Sequence, residues 1–241
     1  MKTTTWLITA KSNLHVGNEN NTSYGIIDKA IQREALTDLP CIHSSSLKGA
    51  INEYCLHNTD LTPCDRIKIF GADKKKEDTT IKKGNYVFFD AKLLLYPDQQ
   101  DNEKLYNLTT PEEVLQEFID RIRLFDAAYN STPKKLKEEL KNKLKLKDDI
   151  DFDNEKFKSI RETGGLPIIA RNCLENGESA NLWYEEILPQ ETVFYTIILV
   201  EEDDILTKHL DGKIVQIGAN ATIGYGYCRF TKLYEKDENN K

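Results

Sequence analysis

The chain has no pair of cysteines in C-x-x-C spacing, no apolar run long enough to span a bilayer and no excess of positive charge. Each absence removes a class of protein. The five cysteines, Cys41, Cys55, Cys64, Cys173 and Cys228, are odd in number and scattered. That spacing excludes a cysteine-built zinc or redox motif and leaves reduced thiols in or near the core. The longest apolar stretch, VFYTIILV at 193–200, falls far short of the ~20 residues of a spanning helix. The opening MKTTTWLITAKSNLHVG has no continuous apolar segment and no small-residue cleavage pattern, so no secretory signal is read there. A cytoplasmic location and no membrane partner are expected. A net charge of −7 argues against a free-standing nucleic-acid binder, although a local basic groove can exist on an acidic molecule.

What remains is 241 residues with 39% hydrophobic and 30% charged side chains. That is neither a disordered polyelectrolyte nor a membrane-embedded chain, and its length favours one large domain with insertions. Residues 4–10 (TTWLITA) read as a first strand, from their β-branched and aromatic content, and enter a polar loop at 15–24. Ser44–His57 reads as a helix with a serine N-cap and an apolar stripe of Leu47, Ile51, Tyr54, Cys55 and Leu56. Gly84–Pro97 is strand-like. Thr110–Tyr129 has the clearest helical pattern, with Thr110 as N-cap, Pro111 in the first position and Val114, Phe118, Ile122 and Phe125 on one face. Residues 133–159 alternate lysines with acids, the pattern of a solvated helix followed by an exposed loop. The segment 161–181 carries glycine turn signals, as in a long excursion. Thr192–Glu201 reads as the strongest strand, followed by a short helix at 203–211, a glycine-rich loop and a last strand at 225–233. The order strand, helix, strand, excursion, strand, helix, strand predicts an α+β fold with a ferredoxin-like (RRM-like) core.

Four clusters carry candidate chemistry. His15-Val16-Gly17 follows the first strand. Asp28 and the run Gln32-Arg33-Glu34 come next, and Ser44-Ser45-Ser46-Leu47-Lys48-Gly49 opens the first helix. A helix N-terminus offers unpaired N–H groups and about half a positive charge, so it can receive a phosphate, and Lys48 adds a full charge within the first turn. A capped helix with an exposed lysine would look the same. The segment 217–226 has glycines at Gly218, Gly224 and Gly226 that let backbone approach a ligand, with Asn220 and Thr222 as polar contacts. A tight turn into a strand also needs glycine.

Taken together, these blocks resemble the RAMP superfamily of CRISPR proteins, and within it the backbone subunits of type III-B (Cmr) effector complexes. The resemblance rests on His15 and Gly17, then Gly25, Asp28, Ile31, Gln32, Arg33 and Glu34, then Ser46, Lys48 and Gly49. It continues through Phe70-Gly71 with Asp73, through Phe89-Asp90-Ala91-Lys92-Leu93-Leu94, through Leu182–Pro189 with Glu191-Thr192, and ends in Gln216–Gly226. Residues ~98–181 match poorly. The chain departs from the family at Ala219, where a glycine is common, and at Ile42-His43-Ser44, where the family has a Pro-Gly pair.

The resemblance implies one RAMP domain over residues 1–241 with an insertion at about 98–181 and a thumb-like β-hairpin, whose place along the chain it leaves open. The Lys/Asp-rich middle is one candidate for that excursion. It further implies a filament of identical subunits on CRISPR guide RNA, beside other type III-B subunits, that cleaves bound target RNA at regular intervals. Asp28 is then the essential aspartate, as general base or as ligand of a divalent ion (Mg or Mn). His15 is a candidate acid or base, or a hydrogen-bonded loop histidine. Glu185, with Glu186, completes a metal or proton-relay site or forms an exposed acidic pair. Guide phosphates are assigned to Arg33, Ser45, Ser46, Lys48, Gly218, Asn220, Thr222 and Gly224. The alternatives are an inactive guide-binding subunit and a RAMP nuclease that processes precursor guide RNA.

Overall fold

The computed structural model describes residues 2–18, 27–72, 83–99, 104–162, 164–200 and 204–236. Gly25 and Asp73 lie outside the described residues. Strand β1 (Lys2–Ala10) is buried from Thr3 onward. After a short β2 (Cys41–Ile42), helix α1 (Ser44–Asn58) buries Leu47, Ile51 and Cys55. Leu56, expected on that stripe, is 48% exposed. The N-cap position is His43 without a side-chain cap, and the Asp90 carboxylate instead accepts from the Ser44 N–H at 2.7 Å. The serines therefore lie inside the first turn and do not cap it. Helix α2 (Pro63–Phe70) starts in a capping box, with Thr62 and Asp65 bonding each other's backbone N–H groups and proline in the first turn.

Strands β3 (Tyr86–Phe88), β4 (Ala91–Asp98) and β5 (Asn107–Thr110) precede helix α3 (Glu112–Arg123). Thr110, expected to cap that helix, ends β5 instead, and Pro111 takes the cap position with no side-chain bond. The segment expected to be solvated is more built than its charge suggests. Helix α4 (Pro133–Leu144) buries Leu136 and Leu140, β6 (Ile150–Phe152) pairs in parallel with β5, and α5 (Asn154–Ser159) buries Phe157. One leucine per helical turn is enough to seat α4, and the lysines cover its outer face.

The excursion at 161–181 is largely a hairpin, β7 (Ile168–Glu175) and β8 (Glu178–Glu186). Its turn, Asn176-Gly177, has positive φ at both residues, 53° and 87°, the geometry for which Asn-Gly is the preferred sequence. Strand β9 (Val193–Val200), helix α6 (Thr207–Leu210), β10 (Ile214–Gln216) and β11 (Tyr227–Lys236) complete the chain.

The main sheet runs β10-β11-β1-β9-β4-β5-β6, and β7-β8 forms its own two-stranded sheet. Every residue of β9 is buried, so both faces of the sheet are covered there. Phe118 of α3 meets Tyr195 edge-on at 4.4 Å, and Trp6 packs against Phe230 across β1 and β11. Cys41, Cys55 and Cys228 sit in the interior, but Cys64 and Cys173 are exposed, against expectation. Burial, with the nearby Asp90 and Glu34 carboxylates, pushes the Cys41 thiol up to about 12, which keeps it inert. No helix of the described residues is long and apolar enough to cross a membrane.

Candidate nucleic-acid interface

Asp28 is exposed and tied to the hairpin. Its N–H and that of Lys29 both donate to the Tyr184 carbonyl, at 3.0 and 3.1 Å, and its Oδ2 accepts from the Tyr184 N–H at 2.8 Å. Two backbone bonds thus pin this segment to the base of β8, and a third holds the carboxylate itself. Among the described residues Oδ1 has no partner.

Glu185 and Glu186 are not the exposed acidic pair expected. They are 1% and 3% exposed. Trp183 Nε1, Lys29 Nζ, Arg171 Nε and Asn220 Nδ2 donate to the Glu185 carboxylate at 2.7, 3.1, 3.2 and 2.9 Å. Burial alone would raise this carboxyl, but the four donors outweigh it and hold it at about 2. The Lys29 ammonium also lies 4.8 Å from the Trp183 ring centre. Glu186 accepts from the Ile31 N–H at 3.2 Å and from Arg33 Nη2 at 3.5 Å. This pair therefore joins the hairpin to the Asp28 segment and to the glycine loop.

His15 is 3% exposed, with Nδ1 2.7 Å from the Glu186 carbonyl. A carbonyl oxygen only accepts, so Nδ1 is the donor in that contact. The His15 carbonyl accepts from the Ala219 N–H at 2.9 Å. A Cβ on Gly218 (φ 80°) would fall 2.3 Å from the same carbonyl oxygen, so only glycine lets the loop approach this closely. Asn220 has φ 66° and Gly224 φ 85°, flanking a 3₁₀ turn at Ala221–Ile223 in which Thr222 is exposed.

Arg33 and Ser46 face inward rather than outward. Arg33 Nη1 donates to the Asp38 and Ile160 carbonyls at 2.9 and 2.8 Å. Gln32, buried and absent from the expected site, donates to Ser46 Oγ at 3.0 Å and to the Gly17 carbonyl at 3.2 Å, while its Oε1 accepts from the His43 N–H at 2.8 Å. Ser45 is exposed and Lys48 half-buried. The structure thus brings Asp28, His15, Glu185, Gly218 and Asn220 into one bonded network. Ser45, Lys48, Thr222 and Gly224 lie outside its bonds. Lys29, Gln32, Arg171 and Trp183 join the network although none is an expected site residue. Lys29 and Gln32 flank or fall within the Asp28–Glu34 run and Trp183 within the 182–189 block, whereas nothing in the sequence marks Arg171.

Residues 7–229 match the RAMP superfamily. The chain belongs to that superfamily. This RAMP protein is 29% identical, over 88% of its length and 90% of the relative's, to the CRISPR system Cmr endoribonuclease Cmr4 of Pyrococcus furiosus. Its fold is similar to the crystal structure of oligomeric Cmr4 from Pyrococcus furiosus, with a TM-score of 0.73, 22% identity and 97% and 100% of the two chains covered. It is also similar to a chain of the type III-B Cmr-beta structure bound to cognate target RNA, with a TM-score of 0.67, 20% identity and 96% and 97% covered. The RAMP match runs through the hairpin and the glycine loop, so the network described above lies inside it.

Proposed function

We propose that this RAMP protein is a backbone subunit of a type III-B CRISPR effector, binding guide RNA along a filament of its own copies and cleaving the target RNA paired to the guide. The relative named an endoribonuclease and the structures named for oligomeric Cmr4 and for a target-bound Cmr complex support this reading. The observation on this chain that carries it is the fastening of Asp28 to the base of the hairpin by two bonds to Tyr184, with a third from the neighbouring Lys29 N–H. The strand order β11-β1-β9-β4 supports a ferredoxin-like core, and β7-β8 supports the thumb. In this reading residues 1–241 form one RAMP domain with its insertion at about 98–181, in the cytoplasm.

The chemistry follows from that placement. RNA carries its own nucleophile, the 2′-OH, which cuts the chain when it lies in line with the phosphorus and the departing 5′ oxygen. A paired A-form strand holds the hydroxyl out of line. A hairpin inserted into the duplex splays one nucleotide, and the carboxylate held at the hairpin's base meets the hydroxyl there. Asp28 takes the 2′-OH proton, the oxygen attacks phosphorus, and the P–O5′ bond breaks as solvent water protonates the departing oxygen, leaving a 2′,3′-cyclic phosphate and a 5′-OH. Glu185 and His15 serve as positioning residues, because both oxygens of the one and the buried ring of the other are already bonded within the protein.

Guide phosphates run past Ser45, Lys48 and the loop from Gly218 to Gly224, while Arg33 and Ser46 brace the groove from within. Asp90 already occupies the Ser44 N–H, which moves the phosphate contact toward Ser45 and Lys48. Among the described residues no three His, Cys, Asp or Glu side chains converge as a metal site. A single carboxylate with phosphate oxygens and water nonetheless suits Mg or Mn. In that alternative Asp28 would hold the ion instead of taking the proton, and the ion when bound would neutralise charge at the scissile phosphate.

Cleavage of a labelled target by the guide-loaded complex tests the reading. Asp28→Ala is expected to slow cutting roughly 10²–10⁴-fold, with guide and target binding unchanged. Equal cleavage by both proteins would place the nuclease on another subunit and leave a purely guide-binding role.

A further inference from the structure

Two cavities of about 550 and 220 Å³ share Leu108, Leu144, Lys145, Leu146 and Glu191 in their walls and so form one cleft. It is bounded by the C-terminal end of α4 with the turn after it, by the start of β5, and by β1 and β11. None of the candidate site residues lines it.

The cleft is cationic on an acidic molecule. Lys143, Lys145 and Lys147 are exposed at every second position, and Arg229 is exposed across from them on β11. Among the described residues none of these four has an ion-pair partner. The acids nearby are engaged, with Lys11 holding Glu191 at 2.8 Å, Lys104 holding Asp148 at 3.4 Å and Lys141 holding Asp149. Four uncompensated cations around one apolar-floored cleft concentrate positive potential where the net charge of −7 would not suggest it. Tyr106, 41% exposed, adds an aromatic ring to the wall.

We infer that this cleft is a further contact surface for single-stranded RNA, adjoining the guide groove but built from different residues. Cations spaced along a groove with an aromatic face are the elements that bind a single strand without reading its sequence. Lysine is depleted in protein–protein interfaces, so a polyanionic strand fits this rim better than a folded partner. The cleft also begins where the proposed site ends. Lys11, four residues before His15, donates its N–H to the Tyr227 carbonyl at 2.7 Å, and Arg229 lies three residues after Gly226. A strand leaving the groove over the ends of β1 and β11 arrives at these cations.

The inference rests on reading the chain as an RNA-handling subunit, and the test separates the two. The complex, purified with its guide, is titrated with fluorescein-labelled decauridylate at several salt concentrations. The triple variant Lys143→Gln, Lys145→Gln, Lys147→Gln is expected to bind at least tenfold more weakly. Its salt slope should be shallower by about 2, at ~0.7 for each phosphate that is no longer neutralised, with guide retention unchanged. Thiouridine placed in turn in the guide flank and in the target then shows which strand crosslinks to residues 104–108. Unchanged affinity and slope in the variant would overturn the cleft while leaving the guide-binding reading intact. A change in assembly size with unaltered RNA binding would also overturn it, as a protein contact. A wild-type complex that retains no guide would instead overturn the functional reading, with the decauridylate titration still deciding the cleft.

Discussion

The sheet and the hairpin are held by different forces. Strand β9 is buried along its whole length, and β1 from Thr3 onward, so the sheet is stabilised by apolar area removed from water. The hairpin exposes residues 178–182 of β8 and buries only its base. That base is polar: Glu185 and Glu186, with Trp183, Arg171, Lys29, Asn220 and the His15 ring arranged around them. Apolar burial is non-directional and tolerates small shifts. A hydrogen-bonded carboxylate is directional, and it sets the angle at which the hairpin leaves the sheet. The candidate chemistry sits on the directional side of that division, because Asp28 is bonded to the hairpin strand.

This contrast can be broken from either side. The largest effect is expected in the sheet, where Phe194→Ala removes a fully buried ring from β9 and should cost about 3–5 kcal/mol of global stability. Chemical denaturation measures it, and a loss below about 1 kcal/mol would mean that the sheet does not depend on that burial. Next comes Glu185→Ala, which strips Lys29, Arg171, Trp183 and Asn220 of their shared acceptor. A loss of about 1–3 kcal/mol is expected, confined to the hairpin. Amide exchange should rise across residues 168–186 and stay unchanged in β1 and β9. Uniform loss of protection would erase the proposed division.

The same carboxylate gives the division a pH signature. The Glu185 carboxyl lies at about 2 in the folded protein against an ordinary 4.5. Its contribution is therefore fully present above about 4.5 and is lost as pH falls through about 2. Glu185→Gln, which cannot titrate, should flatten that part of the acid dependence of hairpin exchange. An unchanged profile would assign the acid sensitivity to other carboxylates. The smallest effect belongs to Lys48→Ala at the surface. Guide binding should weaken about threefold to tenfold for every guide sequence alike, with a salt slope shallower by about 0.7. A sequence-dependent change would show that Lys48 touches bases rather than phosphates.

Much of the fold is legible in the chain, and what is not has physical causes. The period of Val114, Phe118 and Ile122 marks α3, and VFYTIILV marks β9. Thr110 misleads because a threonine before Pro111 suits a helix cap and a strand end equally, and only the pairing of β5 with β6, where Thr110 meets Phe152, decides between them. The Asn176-Gly177 turn and the Thr62–Asp65 capping box carry local signatures of their own, so both were open to a reading from sequence. The lysine-rich segment shows its helix but conceals the buried side of α4 and, after it, β6 and α5, since buried leucines spaced by charge look like a solvated face.

By itself, the sequence determined the family, the order of β1, α1, β4, α3, β9, α6 and β11, and Asp28 as the carboxylate to test. These depend on local pattern and on ordered blocks that survive without knowledge of contacts. Only the tertiary structure decided that Glu185 is buried among four donors, that Arg33 and Ser46 point inward, and that Asp90 occupies the start of α1. The partners in these contacts lie as far apart as 156 residues in the chain, between Asp28 or Lys29 and the 184–185 pair. A side chain's period reveals which face of its element it occupies, but the donor that meets it there is chosen by the packing of distant segments.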